Sequence, residues 1–254
     1  MLAQRGPDGQ ALAEPGIDRV SRRVRGFDAP PFAQSYIEDT IKPATYWDPN
    51  QYVNIWVLAL DGVVLGYAQY PDNTAGLAGL SALGGAANTD GVVIRAAAFG
   101  RAGSAAAPFD QGRTLTHELG HFLGLRHTWG DDDCGNDYCA DTPPQQGPNY
   151  GCPDFPRVSC TNGPNGDLFQ DFLDYTNDAC MALFSQDQKD RMQAVLAAGT
   201  PRRTVLLTSP ALCTGPPLAA TAATDGPVCA GSPATLRATG PAGASYDWAA
   251  PTAS

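Results

Sequence analysis

His117-Glu118-Leu119-Gly120-His121-Phe122-Leu123-Gly124-Leu125-Arg126-His127 is the stretch on which the reading of this chain turns. His117 and His121 are four residues apart, so on a helix both imidazoles project from one face. Glu118 stands beside them and can reach a metal-held water without being a ligand. Gly124 lets the backbone leave the helix through a left-handed conformation, and that turn brings His127 round as a third ligand. Two histidines on a helix face can be ordinary core or surface residues. Here, however, the chain has only three histidines, and all three lie in this stretch. Three neutral imidazoles leave one tetrahedral position open, which is the arrangement of a catalytic zinc site. Zinc there would bring the pKa of a bound water down to about 7 and polarise a carbonyl. Glu118 would take the proton as general base and return it to a leaving group.

The surroundings place these residues in an α+β chain. Gly112 to Leu123 reads as a helix that buries Leu115, Leu119, Phe122 and Leu123 on one face. Upstream, strand-like segments run over Tyr52–Leu60, Val63–Tyr70 and Gly91–Phe99, and Asp61-Gly62 between the first two signals a hairpin. A short helix is expected from Ser35 to about Thr40, ending before Pro43, and Thr74–Ala87 reads as loop. Residues 128–170 are dominated by Gly, Pro, Asn, Asp and Cys, and a loop of that length needs staples. Ser185–Ala198 is a second helix with Ser185 as N-cap and Gly199 as its stop. Thr204–Thr208 reads as a short strand. The alternation over Cys229–Trp248 resembles the opening of a small β-sandwich too short to bury a core by itself. The expected division is therefore 1–203 and 204–254.

Composition narrows the partners. The formal net charge is −10, and the only basic cluster is the loose Arg19, Arg22, Arg23 and Arg25, which argues against nucleic acid. No stretch approaches the roughly 20 apolar residues of a membrane span. All seven cysteines fall after position 130 without CxxC pairs, a spacing that favours disulfides and an oxidising compartment. The N-terminal MLAQRGPDGQ has no apolar signal-peptide core, so secretion is an inference from the cysteines.

The full stretch matches the metzincin pattern HExxHxxGxxH. The chain resembles the pappalysin family of metalloproteases through Tyr46-Trp47-Asp48, Tyr52-Val53-Asn54-Ile55-Trp56-Val57, Gly66-Tyr67-Ala68 and Asp90-Gly91-Val92-Val93-Ile94. The likeness continues through Gly112-Arg113-Thr114, His127-Thr128-Trp129-Gly130-Asp131, Asp141-Thr142-Pro143, Asn162-Gly163-Pro164-Asn165-Gly166-Asp167 and Asp178-Ala179-Cys180-Met181. It extends over about residues 1–200. It implies a secreted zinc endopeptidase acting on protein or peptide substrates, with a twisted mixed sheet and zinc helix above a loop-rich lower lobe. Substrate would lie along an edge strand at Leu65–Tyr70.

The resemblance also carries individual residues. It places Tyr175 near the zinc, where its hydroxyl would steady an oxyanion; the alternative is a packed aromatic. Where the family has a Met-turn methionine this chain has Leu173-Asp174-Tyr175, and Met181 belongs to a later motif. Leu173 fills much the same volume and is expected to leave activity intact, the alternative being a silent enzyme that serves as a binding or adhesion protein. A zinc hydrolase of non-peptide substrates is a third reading. Family spacing pairs Cys134 with Cys160 and Cys152 with Cys180; Cys139 is left over and competes with Cys134 as a partner, and Cys213 and Cys229 are expected to pair within the C-terminal module. Calcium is implied around Asp137, Asp141 and Thr142, although Asp-rich loops are commonly only solvated. Asp178 is placed near a specificity pocket. Val228–Pro233 and Tyr246–Trp248 resemble the start of a PKD/Ig-like module.

Overall fold

The structure is a computed structural model that describes residues 2–73, 75–81, 84–209, 221–224 and 236–239. Its contacts divide the chain into two units, Met1–Leu212 and Cys213–Ser254.

The first unit is built on a three-stranded mixed sheet. Strand β1 is Ile55–Leu58, β2 is Gly66–Ala68 and β3 is Val92–Arg95. The spatial order is β1–β3–β2, with β3 parallel to β1 and antiparallel to β2. The expected β1–β2 hairpin at Asp61-Gly62 is therefore corrected: the two strands flank β3 and do not pair. Two features account for this. Val92, Val93 and Ile94 are fully buried, so this strand belongs in the middle, where both faces are covered. The Arg95 guanidinium then donates to the carbonyls of Leu60 (2.9 Å), Gly62 (2.8 Å) and Val64 (2.9 Å), satisfying acceptors that a hairpin ladder would otherwise use.

Val93 points to one face of the sheet, against Ile37, Ile41 and Leu60 with Trp56, Leu58 and Tyr67 around them. Ile37 and Ile41 come from helix α1, a continuous run of Gln34–Tyr36, a π-helical Ile37–Ile41 and Lys42–Thr45. This helix passes through Pro43 instead of ending before it. The wider π turn leaves a place for a residue without an N–H. Val92 and Ile94 face the other way, onto helix α2 (Arg113–Phe122), where Leu115, Leu119, Phe122 and Leu123 cover them.

Between α2 and helix α3 (Gln186–Ala197) the chain forms no further helix or strand beyond the bridge Asp171–Leu183. Disulfides Cys134–Cys160 (Cα–Cα 5.9 Å) and Cys152–Cys180 (5.7 Å) staple this lobe, and Cys139 is a buried free thiol. Ser185 caps α3 in a reciprocal capping box with Gln188, and Gly199 ends it at φ 70°.

Thr204–Thr208 is a 3-10 helix, not a strand. It is anchored by Arg203, whose guanidinium pairs with Asp90 (2.7 and 2.9 Å), donates to the Phe122 carbonyl (2.8 Å) and lies over the Phe122 ring. Leu206 packs against the sheet residues Val92 and Ile94 and against Phe122, so Thr204–Thr208 packs with the first unit. In the second unit, strands Thr221–Thr224 and Leu236–Thr239 pair antiparallel. Cys213, Cys229 and most of the Cys229–Trp248 segment, and with them the expected β-sandwich module and Cys213–Cys229 pairing, lie outside the described residues.

Candidate active site

Helix α2 carries His117, Glu118 and His121 on one buried side. Its N-terminus is fixed by Gly112 at φ 77° and by the Asp178 carboxylate, which accepts from the amides of Gln111 (2.8 Å) and Arg113 (3.2 Å). Asp178 is 1% exposed, and its carboxylate serves the helix start instead of lining an open pocket. The helix ends in a Schellman turn: Leu125 N–H donates to Gly120 O and Gly124 N–H to His121 O, both at 2.9 Å, with Gly124 at φ 91°. Arg191 of α3 holds that turn from below, its Nε donating to Gly124 O at 2.8 Å. The exit delivers His127 to the other two histidines.

Each imidazole has its Nδ1 committed to an oxygen. His117 Nδ1–H donates to Phe172 O (2.7 Å), His121 Nδ1–H to Leu125 O (2.9 Å), and His127 Nδ1–H to the Asp131 carboxylate. Tyr70 Oη also lies 2.9 Å from His121 Nδ1. These bonds fix the tautomers and leave three Nε2 lone pairs facing one another. His121 Nε2 is 3.1 Å from both His117 Nε2 and His127 Nε2. Zinc–nitrogen bonds of roughly 2 Å in a tetrahedron would space their ligands by about 3.3 Å. Among the described residues this is the only group of three or more His, Cys, Asp or Glu side chains that converges as a metal site. Burial, reinforced by the neighbouring histidines, holds His117 well below its ordinary pKa, and burial brings His121 down to about 4. Both rings therefore stay neutral, the form that offers a lone pair to a metal. The donor set fits zinc.

Glu118 is 5% exposed, and its Oε2 has no hydrogen-bond partner. Burial pushes its pKa up to about 8. Room for it is left by Gly66 on β2, where a Cβ would stand 2.9 Å from both Cγ and Oε1 of Glu118. Across the site, Tyr175 Oη is 3.0 Å from His127 Nε2, and His127 stacks on Trp129 (4.3 Å, 3°). Tyr175 is held by Asp174, whose carboxylate accepts from the amides of Tyr175 (2.7 Å) and Asn149 (2.7 Å) and from the side chains of Asn149 and Gln145 (both 2.9 Å). The arrangement is a three-nitrogen metal site with the buried Glu118 carboxylate on one side, a phenol on the other, and the edge strand β2 alongside.

Residues 35–197 match the Peptidase_M43 family, described as pregnancy-associated plasma protein-A. The chain belongs to this family. The M43 chain is 37% identical over 144 residues to "Extracellular metalloprotease 1" of Coccidioides posadasii, an alignment that takes in 56% of this chain and 49% of that protein. It is 30% identical over 192 residues to an "Extracellular metalloprotease" of Pyricularia oryzae, covering 75% of this chain and 62% of the relative. The chain thus spans about half to three fifths of the length of these curated relatives. Mature mirolysin of Tannerella forsythia, solved in complex with a cleaved peptide, superposes with a TM-score of 0.70 at 40% identity, over 84% of this chain and 76% of that one. The first unit accordingly has the mirolysin-like metzincin catalytic fold.

In this M43 chain the remaining expected residues are distributed as follows. Leu173 is fully buried beneath α2, in one apolar cluster with Leu125, Phe172 and Met181. Asp137 and Thr142 come together, the threonine hydroxyl bonding both carboxylate oxygens (2.9 and 2.8 Å). Asp141 does not join them: it caps α3, accepting from Ser185 Oγ (2.6 Å) and the Asp187 amide (3.0 Å). Asp141 and the Asp137–Thr142 pair are thus engaged in separate hydrogen bonds. Sequence reasoning missed the oxygens behind the histidines, Trp129, Asp174 and Arg191. Asp131 was the most accessible of these, standing four residues after His127 in a turn.

Proposed function

We propose that residues up to Leu212 form the catalytic domain of a secreted zinc endopeptidase that acts on protein or peptide substrates. The observation that carries this reading is the convergence of three Nε2 atoms beside the buried, unpartnered Glu118 carboxylate, with a free strand edge next to it. The extracellular designation of the fungal relatives supports secretion, and the cleaved peptide in mirolysin supports a peptide substrate. No helix among the described residues is long and apolar enough to cross a membrane.

His117, His121 and His127 would hold the zinc, which when bound supplies a Lewis acid for the scissile carbonyl and an acidified water. Substrate backbone extends along the outer edge of β2 and is positioned by strand-type hydrogen bonds. Glu118, which the positive charge of a bound zinc would return from its burial-raised pKa to the ionised form, would accept the proton of the attacking water on its free oxygen and pass it to the leaving amine nitrogen. Tyr175 donates its hydroxyl to the oxygen on which charge develops. A proteome-derived peptide library treated with wild type or Glu118→Ala tests this reading. Cuts made only by wild type are expected; equal cutting by the variant, or none by zinc-loaded wild type, would favour the silent binding-protein reading.

Calcium in the lower lobe is a finer reading that rests on the Asp-rich run after His127 in the sequence. An unchanged melting temperature in a calcium chelator that spares zinc would count against it. For residues 213–254 the alternating pattern supports a spacer module of the PKD/Ig type.

A further inference from the structure

Asp131 stands in the left-handed region at φ 64°, where a residue other than glycine is uncommon. It is not there to fill space, since its side chain is 40% exposed. What the backbone conformation achieves is to return the carboxylate onto His127 Nδ1, four residues back, while Arg126 grips the second carboxylate oxygen at 3.0 Å.

His127 needs such a partner more than the other two ligands do. His117 and His121 are fixed by a helix and by backbone carbonyls, whereas His127 lies beyond the helix in a turn. Trp129, stacked on its face, sets the plane of the ring, but a 180° flip about Cβ–Cγ keeps that plane and exchanges Nδ1 with Cδ2 and Nε2 with Cε1. The hydrogen bond at Nδ1 opposes that flip and sets the tautomer, so that Nε2 meets the metal.

We propose that Asp131 is a positioning residue for the metal: its carboxylate fixes the rotation and tautomer of His127, and its left-handed backbone is kept for that purpose. This rests on the zinc reading above. It separates two quantities that a purely structural residue would move together, because glycine accepts φ 64° without strain but has no carboxylate.

The test uses the full chain, wild type against Asp131→Gly and Asp131→Asn. Zinc affinity is measured by competition with a chromophoric chelator, and melting temperature on zinc-free protein. The expected result for Asp131→Gly is zinc binding weakened about 10- to 100-fold, with the zinc-free melting temperature unchanged or raised. Asp131→Asn, which keeps an acceptor oxygen, should retain tighter binding than the glycine variant. Zinc affinity of Asp131→Gly within twofold of wild type would overturn the proposal. So would a fall in zinc-free melting temperature alongside affinity, which would make Asp131 a support of the loop. Wild type that takes up no zinc would instead overturn the underlying reading.

Discussion

The hydroxyl of Tyr175 lies 3.0 Å from Nε2 of His127, the nitrogen that also faces His121 Nε2 at 3.1 Å. The phenol therefore borders the three-nitrogen site directly, opposite Glu118, and burial pushes its pKa up to about 12. At neutral pH it is a hydrogen-bond donor, which suits a group meant to meet developing negative charge.

Tyr175→Phe removes that donor and keeps the ring contacts with His117, His127 and Trp129. We expect kcat to fall by about 100-fold with little change in KM, the pattern of an interaction made mainly in the transition state. Steady-state kinetics on a fluorogenic peptide check this. A raised KM with kcat intact would make Tyr175 a substrate-binding residue.

Leu173 and Gly120 form the packing contact beneath the site. A Cβ on Gly120 would stand 2.9 Å from Leu173 Cδ2 and 3.4 Å from Leu125 and Phe184. Gly→Ala inside a helix ordinarily gains about 1 kcal/mol. Here Gly120→Ala should lose on the order of 1–3 kcal/mol through overpacking, and the same substitution should cost less when made in the Leu173→Ala background. Leu173→Met should change stability by less than about 1.5 kcal/mol and leave turnover near wild type. Urea midpoints of Gly120→Ala, Leu173→Ala, the double variant and Leu173→Met decide the matter; a stabilised Gly120→Ala would mean the contact relaxes freely.

How much of this was legible follows from which interactions are local. The zinc stretch, its glycine exit and the capped helix α3 are each set by residues within a few positions, so spacing alone reports them. Strand order is different. The Asp61-Gly62 turn looks like a hairpin locally, but Arg95, more than thirty residues away, takes its carbonyls. Likewise the partners of the histidines are backbone oxygens at Phe172 and Leu125, which carry no side-chain signature. Asp141 and Asp137 look equivalent in sequence, yet helix α3 claims the first and Thr142 the second.

The Cys152–Cys180 disulfide closes 28 residues and ties the Asn149–Gly151 turn to the Tyr175 segment, where Asn177 N–H also donates to Gly151 O at 2.8 Å. Replacing both cysteines by serine should cost about 3 kcal/mol. Turnover should fall because Tyr175 loses its backing, whereas zinc affinity should hold, since no ligand lies in that loop. Chemical denaturation and chelator competition measure the two separately. A tenfold or larger loss of zinc affinity would show that the staple supports the metal ligands as well.

Asp171 gives the fold a pH dependence of its own. It is fully buried; Oδ1 accepts from the Leu173 amide (2.7 Å) and Gln188 Nε2 (3.1 Å), while Oδ2 has no protein partner. Burial pushes its pKa up to about 7, with Asp137 and Asp174 adding to the rise and the two hydrogen bonds opposing it. The unfolded chain releases this proton near its ordinary value of about 3.9. Between these values the folded state binds more protons than the unfolded, so its advantage from this group is complete below about pH 4 and declines as pH rises towards 7. Asp171→Asn carries no charge at any pH and keeps an acceptor for the Leu173 amide. It should be more stable than wild type at pH 8, on the order of 1–3 kcal/mol, with the gap closing as pH falls through 7 towards 4. Urea unfolding of both proteins at pH 4, 6 and 8 provides the check, and a gap that stays constant with pH would assign the effect to packing instead of ionisation.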